Sequence, residues 1–590
     1  MKQFFKFVLA TVVGLIITTV IIVGIIVVLI LAAAGSDNSN EVDSDSVLHI
    51  VLSSSIPERT PDNKLPGFLS DFGGDNKTIG LNDILANIKK AKTDDNIKGI
   101  FLDESDSQAG EATIEEIRNA LIDFKTSGKF IIAYSEAYDQ SFYYLASVAD
   151  KIYLNPKGDL EFKGFSQQIT FLKGALDKLG IEAQIIKVGT YKSAVEPLVL
   201  TKMSDPNRLQ VTSYLGSLYD HFLTGISKSR GINKDTLFNY ANNLRIQYPE
   251  DALKYKLVDG LKYKDEVLDE LRARTGTSSK KTIPSVEIAD YTKSDDDKDS
   301  DKGSSKNRIA IIYASGDISG GDGDDNSIGS ETISKALRKV RLDDKVKAVV
   351  LRVNSPGGSS LASDVIWREV MLTHQAKPII VSMGDYAASG GYYISCAADS
   401  IFAEPNTITG SIGIFAILPN MQKLFNDKLG ITFDGVTTGK YADIGDNARP
   451  LTPEERAILQ NQVNHGYDEF TKAVATGRHK TQAYINSIGQ GRVWTGEQAI
   501  KNGLVDRLGN INDAVACAAK KAGLKNYKLV TYPEQKSLLD KVGSNFNVQM
   551  KTRAIKSELG ENYIYYEEIQ SMTKMMRVPQ ARLPYDVVIK

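Results

Sequence analysis

The chain has 590 residues, more than one hydrophobic core accommodates, so two or more domains are expected. Its formal charge of −2 comes from 71 basic and 73 acidic residues, which gives no electrostatic footprint for nucleic acid. Cys396 and Cys517 form neither a metal-ligand pattern nor a disulfide framework, and the histidines (His49, His221, His374, His465, His479) are scattered. A metal site and a bound cofactor are therefore not expected.

At the N-terminus, Lys2 and Lys6 precede an uncharged, Val/Ile/Leu-rich run that ends at Asp37. A hydrocarbon core needs about 20 apolar residues as a helix, and a secretory signal only about 7–15. Residues 7–34 thus read as a transmembrane anchor, although Leu31–Ala34 has the small-residue look of a cleavage site. Basic residues before the run and Asp37, Glu41, Asp43 and Asp45 after it place the N-terminus in the cytoplasm and the body outside the membrane.

The body is a tandem repeat. Thr93–Leu102 matches Leu342–Leu351, and the same spacing pairs Gly80 with Gly329, Tyr143-Tyr144 with Tyr392-Tyr393, Asp150 with Asp399 and Pro156 with Pro405. Each copy alternates apolar strands with amphipathic helices, the βαβ pattern of a mostly parallel sheet, so the fold class is α/β. In the second copy, 309–313, 348–353 and 378–383 read as strands, and 333–340 and 362–372 as helices. A long helix is expected from Pro453 to Thr476, with Thr452 as its N-cap, and a counterpart from Asp205-Pro206 to about Ser227. The resulting division is a first repeat over 46–290, a charged linker over 291–306, a second repeat over 307–540 and an extension over 541–590. The extension has a tyrosine-rich run at Tyr563, Tyr565 and Tyr566, expected to pack on the body or on a neighbouring subunit, and no motif with a chemical rationale.

Chemistry-bearing residues are divided between the copies. Ser389 lies among small residues, Ala387-Ala388-Ser389-Gly390-Gly391, between a strand and a helix, and its counterpart at the repeat spacing is Gln140. Lys192, in Gly189-Thr190-Tyr191-Lys192-Ser193-Ala194, aligns with Ala442. The Asn354-Ser355-Pro356-Gly357-Gly358 loop has no Pro-Gly-Gly counterpart in the first copy. A plain turn explains either glycine-rich stretch alone; together they supply what acyl transfer requires. A serine hydroxyl needs a base, a lysine becomes one when burial disfavours its ammonium form, and unobstructed glycine amides can face the oxyanion. Glu196 is the acid nearest Lys192 in sequence.

These motifs, with Thr409-Gly410-Ser411-Ile412-Gly413, resemble the signal peptide peptidase A (protease IV) family in its long tandem form, from about Ser46 to the C-terminus and including the anchor. The resemblance implies two ClpP/crotonase-like repeats, with Ser389 as nucleophile, Lys192 as general base, Ser411 orienting the lysine, and Gly357 and Gly358 around the oxyanion hole. It also implies a homotetramer on the outer, periplasmic side of a bacterial inner membrane that degrades hydrophobic peptides, among them remnant signal peptides. Two other classes share part of the pattern: a crotonase-type acyl-CoA enzyme, disfavoured by an extracytoplasmic body, and a non-catalytic scaffold in membrane quality control.

Overall fold

The computed structural model describes residues 42–52, 55–61, 78–103, 109–291, 306–324, 327–535 and 579–583, with scattered positions before 25 and between 555 and 563. The anchor expected over 7–34, the linker and most of the extension, Tyr565 and Tyr566 included, fall largely outside them. Among the described residues no helix is long and apolar enough to cross a membrane.

Each repeat is built on one sheet, and the two sheets share their strand order. In the first, Gly260–Leu261, Lys151–Leu160, Phe130–Tyr138, Ile97–Asp103, Ser46–Ile50 and Ser285–Glu287 lie side by side, all parallel. In the second, Ile379–Ala388, Val346–Ser355, Arg308–Ser315 and Lys528–Tyr532 follow the same parallel order. Ser400–Ala403 and Arg507–Leu508 extend that sheet beyond Ile379–Ala388, as Lys151–Leu160 and Gly260–Leu261 extend the first. The strands are short and apolar on both faces because helices cover both sides, as in parallel sheets generally. One face of the second sheet (Ile309, Ile311, Val350, Ile380) belongs to the same apolar cluster as the first repeat's core, so the repeats stack rather than trail each other.

A buried ion triad fastens that stack. Arg352, on a second-repeat strand, donates to Glu58 (2.8 Å from Nε) and Glu116 (2.6 Å from Nη2), both before the linker. A third sheet, of seven strands, also crosses the repeat boundary, with Glu182–Val188 of the first repeat running antiparallel to Ile414–Asn420 of the second.

Two local readings change. The strand expected to stop at Met383 continues to Ala388, because Tyr386, Ala387 and Ala388 pair with Ile408, Thr409 and Gly410. The following helix begins at Gly390, directly after Ser389. Gly357 and Gly358, expected in a turn, lie in a short strand, Gly357–Ser359. The long helices run over Pro453–Gly477 and Asp205–Arg230, and Thr452 caps the former through a reciprocal pair with Glu455.

Candidate active site

Ser389 occupies the junction of strand Ile379–Ala388 and helix Gly390–Ser395. Its backbone is at φ 55° and ψ −112°, a conformation that costs a residue with a Cβ on the order of 1–3 kcal/mol. The surroundings hold it there: the Ser389 amide donates to the Gly410 carbonyl (2.8 Å), and a side chain at Gly391 would strike the Ser355 carbonyl at 2.7 Å. Small residues at these positions let the chain turn tightly enough to present a hydroxyl.

Lys192 reaches this hydroxyl from the other repeat. The antiparallel pairing ends at Val188 opposite Ile414, and Tyr191 N then donates to Gln490 O (2.8 Å). Gly491, at φ 78°, makes room: a Cβ there would lie 2.6 Å from Lys192 N. Lys192 Nζ ends 2.8 Å from Ser389 Oγ, 3.0 Å from Ser411 Oγ and 3.1 Å from the Ser411 carbonyl oxygen. All three residues are fully buried.

The electrostatics follow from that burial, which holds the Lys192 amine well below the ordinary lysine range. No carboxylate opposes the effect. Glu196 is engaged elsewhere, accepting from Ser204 Oγ (2.5 Å), Ser204 N (3.2 Å) and Asn207 Nδ2 (2.9 Å). A neutral amine has two N–H groups and one lone pair. Ser411 offers two acceptors for the N–H groups, which leaves the lone pair facing the Ser389 hydroxyl. Phe415, with its ring centroid 5.8 Å from Nζ, forms part of the dry wall.

The two glycines serve different ends. The Gly357 amide donates to Ser355 Oγ (3.1 Å), so it is not a free oxyanion donor. Gly357 contributes space instead: at φ 103°, a Cβ there would lie 2.8 Å from Gly390 N. A Cβ on Gly390 would lie 3.1 Å from Gly358 N, so the Gly358 and Gly390 amides border one small volume beside the serine. Gly390 N is a first-turn amide with no acceptor within its helix. Sequence reading missed Gly390 as a donor and Gly413 and Gly491 as the lysine's walls, although the Gly390-Gly391 and Gly410–Gly413 stretches mark the ground. Among the described residues no group of His, Cys, Asp or Glu could hold a metal ion.

The family model of peptidase family S49 matches residues 123–278 and 372–525, one match in each repeat. The chain belongs to peptidase family S49. This S49 chain is 38% identical to Protease 4 of Salmonella typhi over 523 residues, which is 86% of this chain and 83% of that one. It is 38% identical to Protease 4 of Haemophilus influenzae, covering 76% of this chain and 74% of that one. Identity is 36% to the chloroplastic serine protease SPPA of Arabidopsis thaliana, over 78% of this chain and 68% of that one. The solved structure of ClpP1 from Listeria monocytogenes aligns with 34% of this chain and 92% of its own, at 16% identity and a TM-score of 0.22. The S49 chain is accordingly a serine peptidase of the signal peptide peptidase A kind, with a duplicated α/β architecture.

Proposed function

We propose that the chain is a membrane-anchored endopeptidase that cleaves hydrophobic peptides, remnant signal peptides among them, by a Ser389–Lys192 dyad. The observation that carries this reading is the 2.8 Å approach of a buried, acid-free lysine amine to the hydroxyl of a backbone-strained serine. Ser389 Oγ attacks the scissile carbonyl while its proton passes to Lys192 Nζ. The oxyanion turns toward the Gly358 and Gly390 amides. Collapse expels the leaving amine, which takes the proton from Lys192, and water then releases the acyl group from Ser389 by the same base. Ser411 is a positioning residue: it holds the amine's N–H groups and so aims its lone pair.

The apolar N-terminal run supports anchoring with the body on the periplasmic side of a bacterial inner membrane, where apolar peptides leave the bilayer. Self-assembly, as a homotetramer, is supported by an arm of the second repeat. Phe433 and Val436 are 60% and 100% exposed, although their counterparts at the repeat spacing, Ala183 and Ile186, lie in the paired strand Glu182–Val188. A neighbouring subunit would cover that arm.

The test is covalent labelling of Ser389 by a fluorophosphonate, with peptide hydrolysis by purified Ser389→Ala and Lys192→Ala chains that retain the wild-type circular dichroism spectrum. Substantial turnover by either variant would refute the dyad.

A further inference from the structure

The segment that carries the lysine has no regular structure of its own. Residues 189–195 lie between the strand Glu182–Val188 and the short helix Glu196–Val199, so no ladder fixes their backbone. An amine on such a segment stays 2.8 Å from Ser389 Oγ only when the residues beside it are held by something else.

One fully buried side chain holds them from both sides. Gln210, in the helix Asp205–Arg230, donates from Nε2 to the Tyr191 carbonyl oxygen (3.0 Å) and to Ser193 Oγ (2.8 Å), the two neighbours of Lys192. A third acceptor, Asn207 Oδ1 of the same helix, lies 3.1 Å from that nitrogen. Gln210 Oε1 accepts from Val493 N at 3.3 Å. Val493 N only donates and the Tyr191 carbonyl only accepts, so the surroundings fix which way the amide faces.

The Val493 contact crosses to the second repeat. Val493 pairs with Gly410, whose carbonyl accepts from Ser389 N, and the next residue is Ser411, which holds the Lys192 amine. The same helix face continues the contact: Gln498 Nε2 donates to Ser213, and Ser217 bonds Thr495. With the helix N-caps Ser204 and Thr452 aligned, Gln210 falls opposite Ile458, which has no side-chain amide. The brace thus belongs to the copy that carries the lysine.

We propose that Gln210 is a positioning residue for the reaction: it ties both flanks of Lys192 to the strand pair that seats Ser389 and Ser411, and so sets the distance from base to nucleophile and keeps water from the amine. The proposal rests on the dyad reading, since it gives the lysine its task. Charged neighbours are occupied elsewhere. Lys187 Nζ donates to the Lys192 carbonyl at 3.4 Å, Glu196 accepts from Ser204 and Asn207, and the Arg492 guanidinium stacks on Tyr191 and Trp494. The amine's own bonds go to Ser389 and Ser411.

Two variants test the brace. Gln210→Met keeps the shape and removes donor and acceptor; Gln210→Glu keeps the acceptor for Val493 N and removes the donor. Both should lower kcat about 10–100-fold, the loss expected when a base shifts by about 1 Å, with KM within about twofold. Water admitted beside the amine favours its ammonium form, so the acid limb of kcat/KM should move to higher pH in both. Ser193→Ala frees one flank and should do the same more weakly. Tyr143→Phe, which removes a buried bond in the first repeat's core, should lower the denaturation midpoint and leave kcat and the limb in place. The NMR shift of Lys192 Cε in Ser389→Ala chains reads the amine's titration without hydrolysis, and adding Gln210→Met should move it to higher pH. An unchanged kcat and limb in the Gln210 variants, or a wild-type profile in Gln210→Glu alone, would overturn the proposal. So would an equal loss of kcat in Tyr143→Phe. If Gln210→Met fails to fold, Gln210→Glu and Ser193→Ala decide. Absence of hydrolysis and labelling in the wild-type chain would sink the dyad instead, and the Lys192 titration would still decide the brace.

Discussion

The two repeats are the same scaffold put to different uses. The Tyr143 hydroxyl donates to Leu257 O at 2.8 Å, and the Tyr392 hydroxyl donates to Leu504 O at 2.8 Å. Asp150 accepts from Ile131 N as Asp399 does from Ile379 N, and Asp259 from Ile152 N as Asp506 does from Ile401 N. The tyrosine bonds are buried and the aspartate bonds part-buried; together they set the spacing of strands and helices, and losing a tyrosine bond would leave an unsatisfied buried carbonyl worth about 1–3 kcal/mol. Both copies have kept them.

At the other end of the strands the copies part. The helix after Phe130–Tyr138 starts at a relaxed N-cap, Asp139, at φ −72°, whose carboxylate accepts from Phe142 N. The corresponding helix of the second repeat starts at Ser389, strained and without a side-chain cap. At this helix start the first copy has a stabilising cap and the second presents a hydroxyl. Lys192 is sealed between the repeats, whereas Ala442, its counterpart, is exposed. Division of labour between copies is possible because a strand of each meets the other's in the third sheet.

The sharpest way to break this comparison is to remove the shared chemistry. Lys192→Ala should lower kcat by about 10⁴-fold or more, as expected when a member of a nucleophile–base unit is lost, whereas Gln140→Ala in the first copy should leave hydrolysis within about twofold. Equal effects would erase the asymmetry.

Next comes the triad between the repeats. Arg352→Ala strands two buried carboxylates and should cost about 3–5 kcal/mol, read as a lower denaturation midpoint. Its counterpart at the repeat spacing, Asp103, is partly exposed and pairs with His49 and Lys264. Asp103→Ala should therefore cost about 1 kcal/mol.

A smaller effect is expected at Ser411. Ser411→Ala removes one acceptor that orients the amine and should lower kcat about 10–100-fold with little change in KM, with Ser411→Thr recovering part of the loss. The pH profile separates orientation from structure. The neutral amine is the active form, so activity is lost as pH falls through the pKa of Lys192. Burial lowers that pKa below the ordinary 10.5, so the acid limb of kcat/KM should lie well below pH 10.5 and should shift in Ser411→Ala. A limb at the free-lysine value would contradict a desolvated base. The smallest expected effect is at Ala442→Lys. An exposed lysine keeps its charge and has no strained serine beside it, so the change should add no measurable hydrolysis.

Much of this was legible in the sequence because it is written in local pattern. Alternating apolar runs and helical stretches gave the α/β class, and the repeat spacing exposed which positions had diverged. Where local reading failed, a distant partner had intervened. Gly357 and Gly358 read as a turn because the strands that pair with them, Asp317–Ser319 and Gln580–Arg582, are remote along the chain. Gly390 was overlooked as a donor because an amide's orientation depends on where the neighbouring helix begins. Residues 579–583 showed no motif because backbone pairing, which is nearly indifferent to side-chain type, is what joins them to Gly357–Ser359.

By itself, then, the sequence determined the duplicated scaffold, the residue types set apart in each copy and the need for a base other than histidine. The tertiary structure alone decided that Lys192 is dry, that Ser389 is strained, that the Gly357 amide is engaged by Ser355, and that a terminal strand pairs with Gly357–Ser359. The reason is physical. Periodicity and composition are properties of neighbours along the chain, whereas desolvation, strain and sheet pairing arise only when segments hundreds of residues apart are brought into contact.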